Sequence, residues 1–366
     1  MNIPFHIKRI AVLYSELSGY MAACLRALKE NYQVELLVMK WPVVNDAPFD
    51  EEEMLGWIDR LYEKQDLKAE EILDILNDFE PQGIFMPGWI DLDYLKVARV
   101  MKRRNIPVVA GSDTQWMGTM RQRASKYLAP WYLHPAIDVL WVAGEKQRTF
   151  AQYLGYTSDK CWSGLYACDW AKFAKEGGAS RASNTSFLYV GRYSEEKGID
   201  LLVKAYEQYR SMVSNPWSLV CAGTGKMSSL LENIEGLENK GFLQPDDLPA
   251  LMAEAGAFIL PSRREPWGVV IQEAAASGLP LICSSVCGGA VHLLQDGYNG
   301  FLFEDNDVGH LVQRMVQLSE MQPHKRERMG QRSYALSQQF TPERWAETLM
   351  NGFATLTKKP KDLVPA

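Results

Sequence analysis

Two carboxylates, Glu265 and Glu273, stand eight positions apart in the stretch Pro261-Ser-Arg-Arg-Glu265-Pro-Trp-Gly-Val-Val-Ile-Gln-Glu273-Ala-Ala-Ala-Ser-Gly278. Pro266 suits a first helical turn, Gly268 leaves the backbone bare beside it, and Ser277-Gly278 supplies a stop. The pattern predicts a helix that begins at the first acid. At about 1.5 Å per residue the two carboxylates would lie roughly 12 Å apart along its axis. A nucleotide-sugar holds its two sugars at a similar separation, with the diphosphate between them. A helix N-terminus offers unpaired N–H groups and a partial positive charge to such a diphosphate. The chemistry that suits this arrangement is the cradling of an activated sugar.

Breaking a sugar–diphosphate bond leaves about two negative charges on the departing phosphate, which fixed cations and backbone dipoles can stabilise without a metal. The chain has candidates in Phe187-Leu-Tyr-Val-Gly191-Arg192-Tyr-Ser-Glu-Glu-Lys197-Gly198, an apolar strand that ends in a loop with two cations, Arg192 and Lys197. Gly223-Thr-Gly225 reads as a tight turn and Gly241-Phe242-Leu243 as a short strand. Near the start, Ser15-Glu-Leu-Ser-Gly19-Tyr20 follows the first strand, and Gly19 would let backbone approach a phosphate.

Taken together, Glu265-x7-Glu273, the preceding Pro-Ser, the following Ala274-x-Ala276-x-Gly278-x-Pro280 and the Gly288-Gly289 turn resemble the signature of retaining glycosyltransferases of the GT-B fold, family 4. The resemblance is close in the C-terminal half and architectural in the N-terminal half. It implies that Arg192 and Lys197 bind the donor diphosphate, that Glu265 meets the donor sugar's hydroxyls and that Glu273 bonds the ribose. The backbone of Trp267, Gly268 and Val269 would meet the phosphates, while Gly241 and Phe242 would frame the base. The chain departs from the pattern at one place. Members often carry His-Asp after the strand matched here by Pro107-Val-Val-Ala110, and this chain has Ser112-Asp113. A histidine base is disfavoured, and front-face retention needs none.

Composition bounds the alternatives. At 366 residues, 47% hydrophobic and 23% charged, the chain has material for two domains with their own cores. A net charge of −6 gives no basic excess for general nucleic-acid binding. The six cysteines lack metal-ligand spacing, so a reducing, cytoplasmic setting is expected, with Cys283 and Cys287 as small apolar fillers. Neither a signal sequence nor a bilayer-spanning run is expected. Trp116-Met-Gly-Thr-Met-Arg121-Gln-Arg123-Ala-Ser-Lys126-Tyr127 mixes aromatic and basic residues as an interfacial helix would, and leaves peripheral contact with the inner face of a membrane open. A helix that packs Trp116 and Met120 inward is the competing reading.

Apolar strands alternate with helices along the chain, the pattern of parallel sheets covered on both faces. Strands are expected at Ile10–Tyr14, Val34–Met39, Gly83–Met86, Pro107–Ala110 and Val139–Val142. After a small polar linker from Ala174 they resume at Phe187–Val190, Ser218–Cys221, Gly241–Leu243, Ala257–Leu260, Leu279–Cys283 and Gly300–Phe303. The fold expected is α/β of GT-B type, two Rossmann-like domains facing each other across a cleft. The acceptor domain would span 1–174 and the donor domain 175–341, with a terminal helix near 342–357 returning to the first. Asp91-Leu-Asp93 reads as a helix cap rather than a metal site, and Asp305-Asn-Asp307 as a polar turn. No metal or cofactor is expected. The expected partners are a UDP- or GDP-linked sugar and an acceptor glycan, glycolipid or small molecule. Polysaccharide, glycolipid or glycoconjugate assembly is the setting that the resemblance implies. A nucleotide-sugar-binding protein without turnover, and an inverting transferase with Asp113 as base, stand as rivals.

Overall fold

The computed structural model describes residues 7–42, 54–175 and 183–357. The chain divides into two compact units, one of residues up to Ala167 joined by those from Pro342, the other Cys168–Thr341. Much of the expected linker (176–182) and residues 358–366 lie outside the described residues.

The first unit contains a parallel seven-stranded sheet. Its strands are β1 Arg9–Leu13, β2 Glu35–Lys40, β3 Arg60–Glu63, β4 Gly83–Met86, β5 Val108–Ser112, β6 Val139–Val142 and β7 Cys161–Ser163. Their spatial order is β3-β2-β1-β4-β5-β6-β7. The second unit repeats the plan with β8 Ser186–Val190, β9 Ser218–Ala222, β10 Leu237–Asn239, β11 Ala257–Leu260, β12 Leu281–Ser284 and β13 Gly300–Phe303, in the order β10-β9-β8-β11-β12-β13. Every strand pairing is parallel. Both sheets are of Rossmann type, with strand order reversing between β1 and β4 and between β8 and β11. Loops leaving the two strands at such a reversal diverge and open a crevice at the strands' C-terminal ends.

The central strands are buried throughout at β4, β6, β11 and β12, as continuous apolar runs predict. Three edge strands escape that logic. Strands β3 (Arg-Leu-Tyr-Glu) and β7 (Cys-Trp-Ser) are short and partly exposed, and periodicity does not reveal them. The strand expected at Gly241–Leu243 is instead β10, four residues earlier. Gly241 has φ +67°, and its carbonyl accepts from Gly223 N–H at 2.7 Å, so the chain turns there rather than extending.

The last helix, Pro342–Thr357, completes the first unit's core. Trp345 stacks on Trp141 at 5.0 Å between centroids, meets Phe85 edge-on at 5.3 Å and donates its indole N–H to Leu165 O at 2.8 Å. Gly352 lets this helix close on Trp162, because a Cβ there would fall 1.8 Å from the ring. Gly352→Ala would gain up to about 1 kcal/mol of helix propensity, whereas forcing a methyl group into a packed aromatic site costs about 1–3 kcal/mol. The clash wins. Denaturant titration should show a net loss of stability, and an unchanged midpoint would refute this packing.

Candidate active site

The reversal between β8 and β11 is where the sequence's two chemical segments emerge. Gly191–Gly198 leaves β8 and Pro261–Gly268 leaves β11, so topology alone sets the cation loop beside the first acid. The side chains meet. Lys197 Nζ lies 2.5 Å from Glu265 Oε2, with the two side chains 17% and 8% exposed. Ser262 Oγ donates to the same oxygen at 3.3 Å. Removing one partner of so enclosed a pair would leave an uncompensated charge. Arg192 is exposed at the start of this loop.

The backbone around them is fixed by close approach. Gly198 has φ +70°, and a Cβ there would lie 2.1 Å from Pro261 O. Only glycine allows that contact. Arg263 stitches the two loops together. It grips Asp200 with both guanidinium nitrogens at 2.6 and 2.8 Å and donates to Glu195 O at 2.7 Å. Backbone N–H groups of Arg263 and Arg264 both donate to Glu196 O. The guanidinium holds the Asp200 carboxyl below the usual carboxylate range. Neither Arg263 nor Asp200 was singled out in the sequence. They are polar residues in a loop and a first helical turn, and only their pairing reveals their role.

The helix Val269–Ala276 follows, with Gly268 as its N-cap at φ +87°. Its start corrects the sequence reading, since Glu265 and Pro266 precede the helix and Pro266 is not in its first turn. The separation of Glu265 from Glu273 is therefore not eight helical rises, because only Val269 to Glu273 follows the axis. Gly288 N–H donates to Glu265 O at 3.0 Å and Gly289 N–H to Trp267 O at 2.8 Å, tying the Gly-Gly turn to the acid's own backbone. Trp267 is buried and packs against His292 and Phe340. The stop at Ser277-Gly278 is as expected.

Glu273, half-buried, sits where the helix packs on the short helix Trp170–Ala174. Burial pushes its carboxyl up to about 7. The nearby Lys172 pulls it down and Asp169 adds to the rise. Nearby, Gly223 and Gly225 (φ +147° and +157°) wrap closely around the backbone of Gly191 and Tyr193. The Tyr193 hydroxyl donates to Asn239 Oδ1 at 2.8 Å, and Gly241 N–H donates to the same oxygen at 2.9 Å. Gly241 and Phe242 thus occupy a turn beside the cation loop rather than a strand.

Of the residues assigned to the first unit, Gly19 follows β1 at that unit's switch point, while Ser112 and Asp113 stand at the end of β5, one strand beyond it. Gly19 opens the helix Gly19–Tyr32 directly after the β1 loop. Ser112 ends β5, and its hydroxyl accepts from Thr114 N–H at 3.4 Å. Asp113 does not cap the next helix. Thr119 does, while Asp113 accepts from the Tyr166 hydroxyl at 3.2 Å. Asp91 caps Leu92–Arg103 by accepting from Asp93 and Tyr94 N–H, and Asp307 caps Val308–Ser319. All six cysteines are free and buried. Among the described residues no three His, Cys, Asp or Glu side chains gather as a metal site, and no helix is long and apolar enough to cross a membrane.

Comparison with known proteins places this geometry. The family described as glycosyl transferases group 1 matches residues 172–336, from the start of the second unit through the cation loop and both acids. That stretch is similar to the group 1 glycosyltransferases. Among curated relatives, an uncharacterised glycosyltransferase of Methanocaldococcus jannaschii is 29% identical over 43% of this chain and 44% of its own length. A glycogen synthase of Mycobacterium tuberculosis is 32% identical over 41% and 37%. The chain spans less than half the length of these relatives. Among solved structures, a glycosyltransferase of Rickettsia africae aligns with TM-score 0.78 at 13% identity, covering 97% of this chain and all (100%) of that one. HepE of Anabaena, solved with UDP and glucose, aligns with TM-score 0.72 at 17% identity over 96% and 100%. These likenesses give the fold as GT-B.

Glu273 supplies a test of the site's electrostatics. Its folded pKa, about 7, lies above the ordinary glutamate value, so between those two values the folded state binds more protons than the unfolded state. Its contribution to stability is therefore present at low pH and lost as pH rises toward 7. Glu273→Gln removes the ionisable group. The variant should melt close to wild type near pH 5 and above it near pH 8. A difference between the two that does not change with pH would refute the raised pKa.

Proposed function

We propose that the chain is a retaining, metal-independent glycosyltransferase that moves a hexose from a nucleoside-diphosphate sugar to an acceptor hydroxyl. The observation that carries this is the contact of Lys197 with Glu265 at the switch point of the second sheet, just ahead of the N-terminus of Val269–Ala276. In this reading Arg192 and Lys197 neutralise the diphosphate, and backbone N–H groups at Trp267, Gly268 and Val269 add the helix-terminal dipole. Glu265 receives the donor sugar's hydroxyls, and Glu273 the ribose. UDP is the favoured nucleotide, supported by structural neighbours solved with UDP and a sugar.

The charge balance gives the mechanism its shape. Without donor, Lys197 is matched by the Glu265 carboxylate. An incoming diphosphate brings further negative charge and draws the cation, which frees Glu265 to accept from sugar hydroxyls. As the glycosidic bond breaks, charge on the leaving phosphate grows, and Lys197 and Arg192 stabilise that state more than the ground state. The leaving phosphate can then take the acceptor's proton on the same face. No histidine is called for, consistent with Ser112 and Asp113 at the end of β5. Support for metal independence comes from the two cations, Lys197 and Arg192, in the loop after β8. The acceptor, in polysaccharide, glycolipid or glycoconjugate assembly, would be bound by the first unit.

Incubation with a panel of UDP-, GDP- and ADP-sugars should give turnover with one donor class that persists in EDTA. NMR of the product should show the donor's anomeric configuration, and inversion would transfer the base role to Asp113. Lys197→Ala should lower kcat by about 10²–10³-fold with a smaller change in KM. An effect confined to KM would remove Lys197 from the chemical step.

A further inference from the structure

The helix Met120–Tyr132 carries its apolar side chains outward. Ala129 is its one buried residue. Met120, Ala124, Tyr127, Leu128 and Trp131 recur at helical spacing along a single face, and all are exposed. Met120 and Trp131 are each 81% exposed and Tyr127 is 76% exposed. A surface helix ordinarily turns such a stripe toward the core. Here the ends and the polar side hold the helix instead. Trp116, just ahead of it, packs on Tyr153 at 4.2 Å and on Phe150. The Gln122 side chain bonds both Met117 N–H and Gln115 O, and Arg99 donates to Tyr132 O at 3.1 Å. Of the inward packing expected from the sequence, Trp116 fulfils its part and Met120 does not.

The charge around this face is one-signed. From Thr114 to Ile137 the chain has no Asp or Glu, while Arg121 and Arg123 lie on the helix and are exposed; Lys126 sits on its far side, with Nζ 5.2 Å from the centre of the Tyr153 ring. At 3.6 residues per turn, Arg121 and Arg123 fall on opposite sides of the apolar stripe. The chain as a whole carries −6, so this is a local reversal of sign. We propose that the face is a docking surface for an anionic phospholipid bilayer. Trp131, Tyr127, Leu128 and Met120 would enter the headgroup–acyl boundary, with Arg121 and Arg123 against lipid phosphates. A second copy docking by the same patch would set cation against cation across a two-fold axis, which argues against self-association. This inference does not depend on the transferase reading.

Co-sedimentation of the full chain tests it, using phosphatidylcholine vesicles with and without phosphatidylglycerol. Binding is expected only with phosphatidylglycerol and should weaken as salt is raised. Arg121→Gln and Arg123→Gln combined should lower affinity about thirtyfold, at about 1 kcal/mol per cation. Leu128→Ser with Trp131→Ser should abolish binding while melting temperature is kept, since both side chains are exposed. The proposal is overturned if wild type ignores phosphatidylglycerol vesicles or if both variants bind as wild type does. It is also overturned if light scattering shows a dimer that the apolar variant dissolves while no vesicle binding occurs.

Discussion

The seam between the loops that leave β8 and β11 governs the second unit. Three contacts close it: glycine backbone against Pro261 O, the Arg263–Asp200 fork, and the Lys197–Glu265 pair. The first is steric, the second fixes orientation, and the third places opposite charges where a ligand's charge can exchange with one of them. Neighbouring strands of a parallel sheet normally send their connections to the same side. Only at the reversal of order do the loops part, so the pair can stand at the mouth of a crevice rather than beneath a connection. The chemistry of the site is thus a consequence of strand order.

The apolar interior made most of this legible from residues alone. Continuous runs such as Gly83–Met86, Val139–Val142 and Ala257–Leu260 leave little choice but a buried strand, and their limits match the structure. Legibility failed at the edges of the sheets, where β3, β7 and β10 bury little and their composition carries little signal. It failed also at the start of the helix Val269–Ala276. Pro266 is compatible with a first turn, yet Gly268 in a left-handed conformation defers the helix beyond it. In the site, residues with a charge and a motif neighbour were visible. Arg263 and Asp200 were not, because a positioning pair is defined by a contact between distant residues, which spacing along the chain does not encode.

The two acids illustrate how environment separates like residues. Glu265 faces a lysine and a serine hydroxyl, partners that suit a carboxylate. Glu273 is half-buried in its helix with Lys172 as its nearby cation, and Lys172 is itself paired with Asp246. Burial holds the proton on Glu273 toward neutrality, while Glu265 is tied to a lysine, a difference of surroundings that arises without any change of side chain.

The place of Trp345 in the first unit has a bearing on biosynthesis. Phe85 and Trp141 emerge from the ribosome early, but the ring that covers them is made only after the whole second unit has been synthesised. Domains generally fold in the order of their synthesis. Here the later-encoded unit can close first, while the earlier one waits with aromatic surface bare. During that interval a chaperone would find its natural target on the N-terminal half.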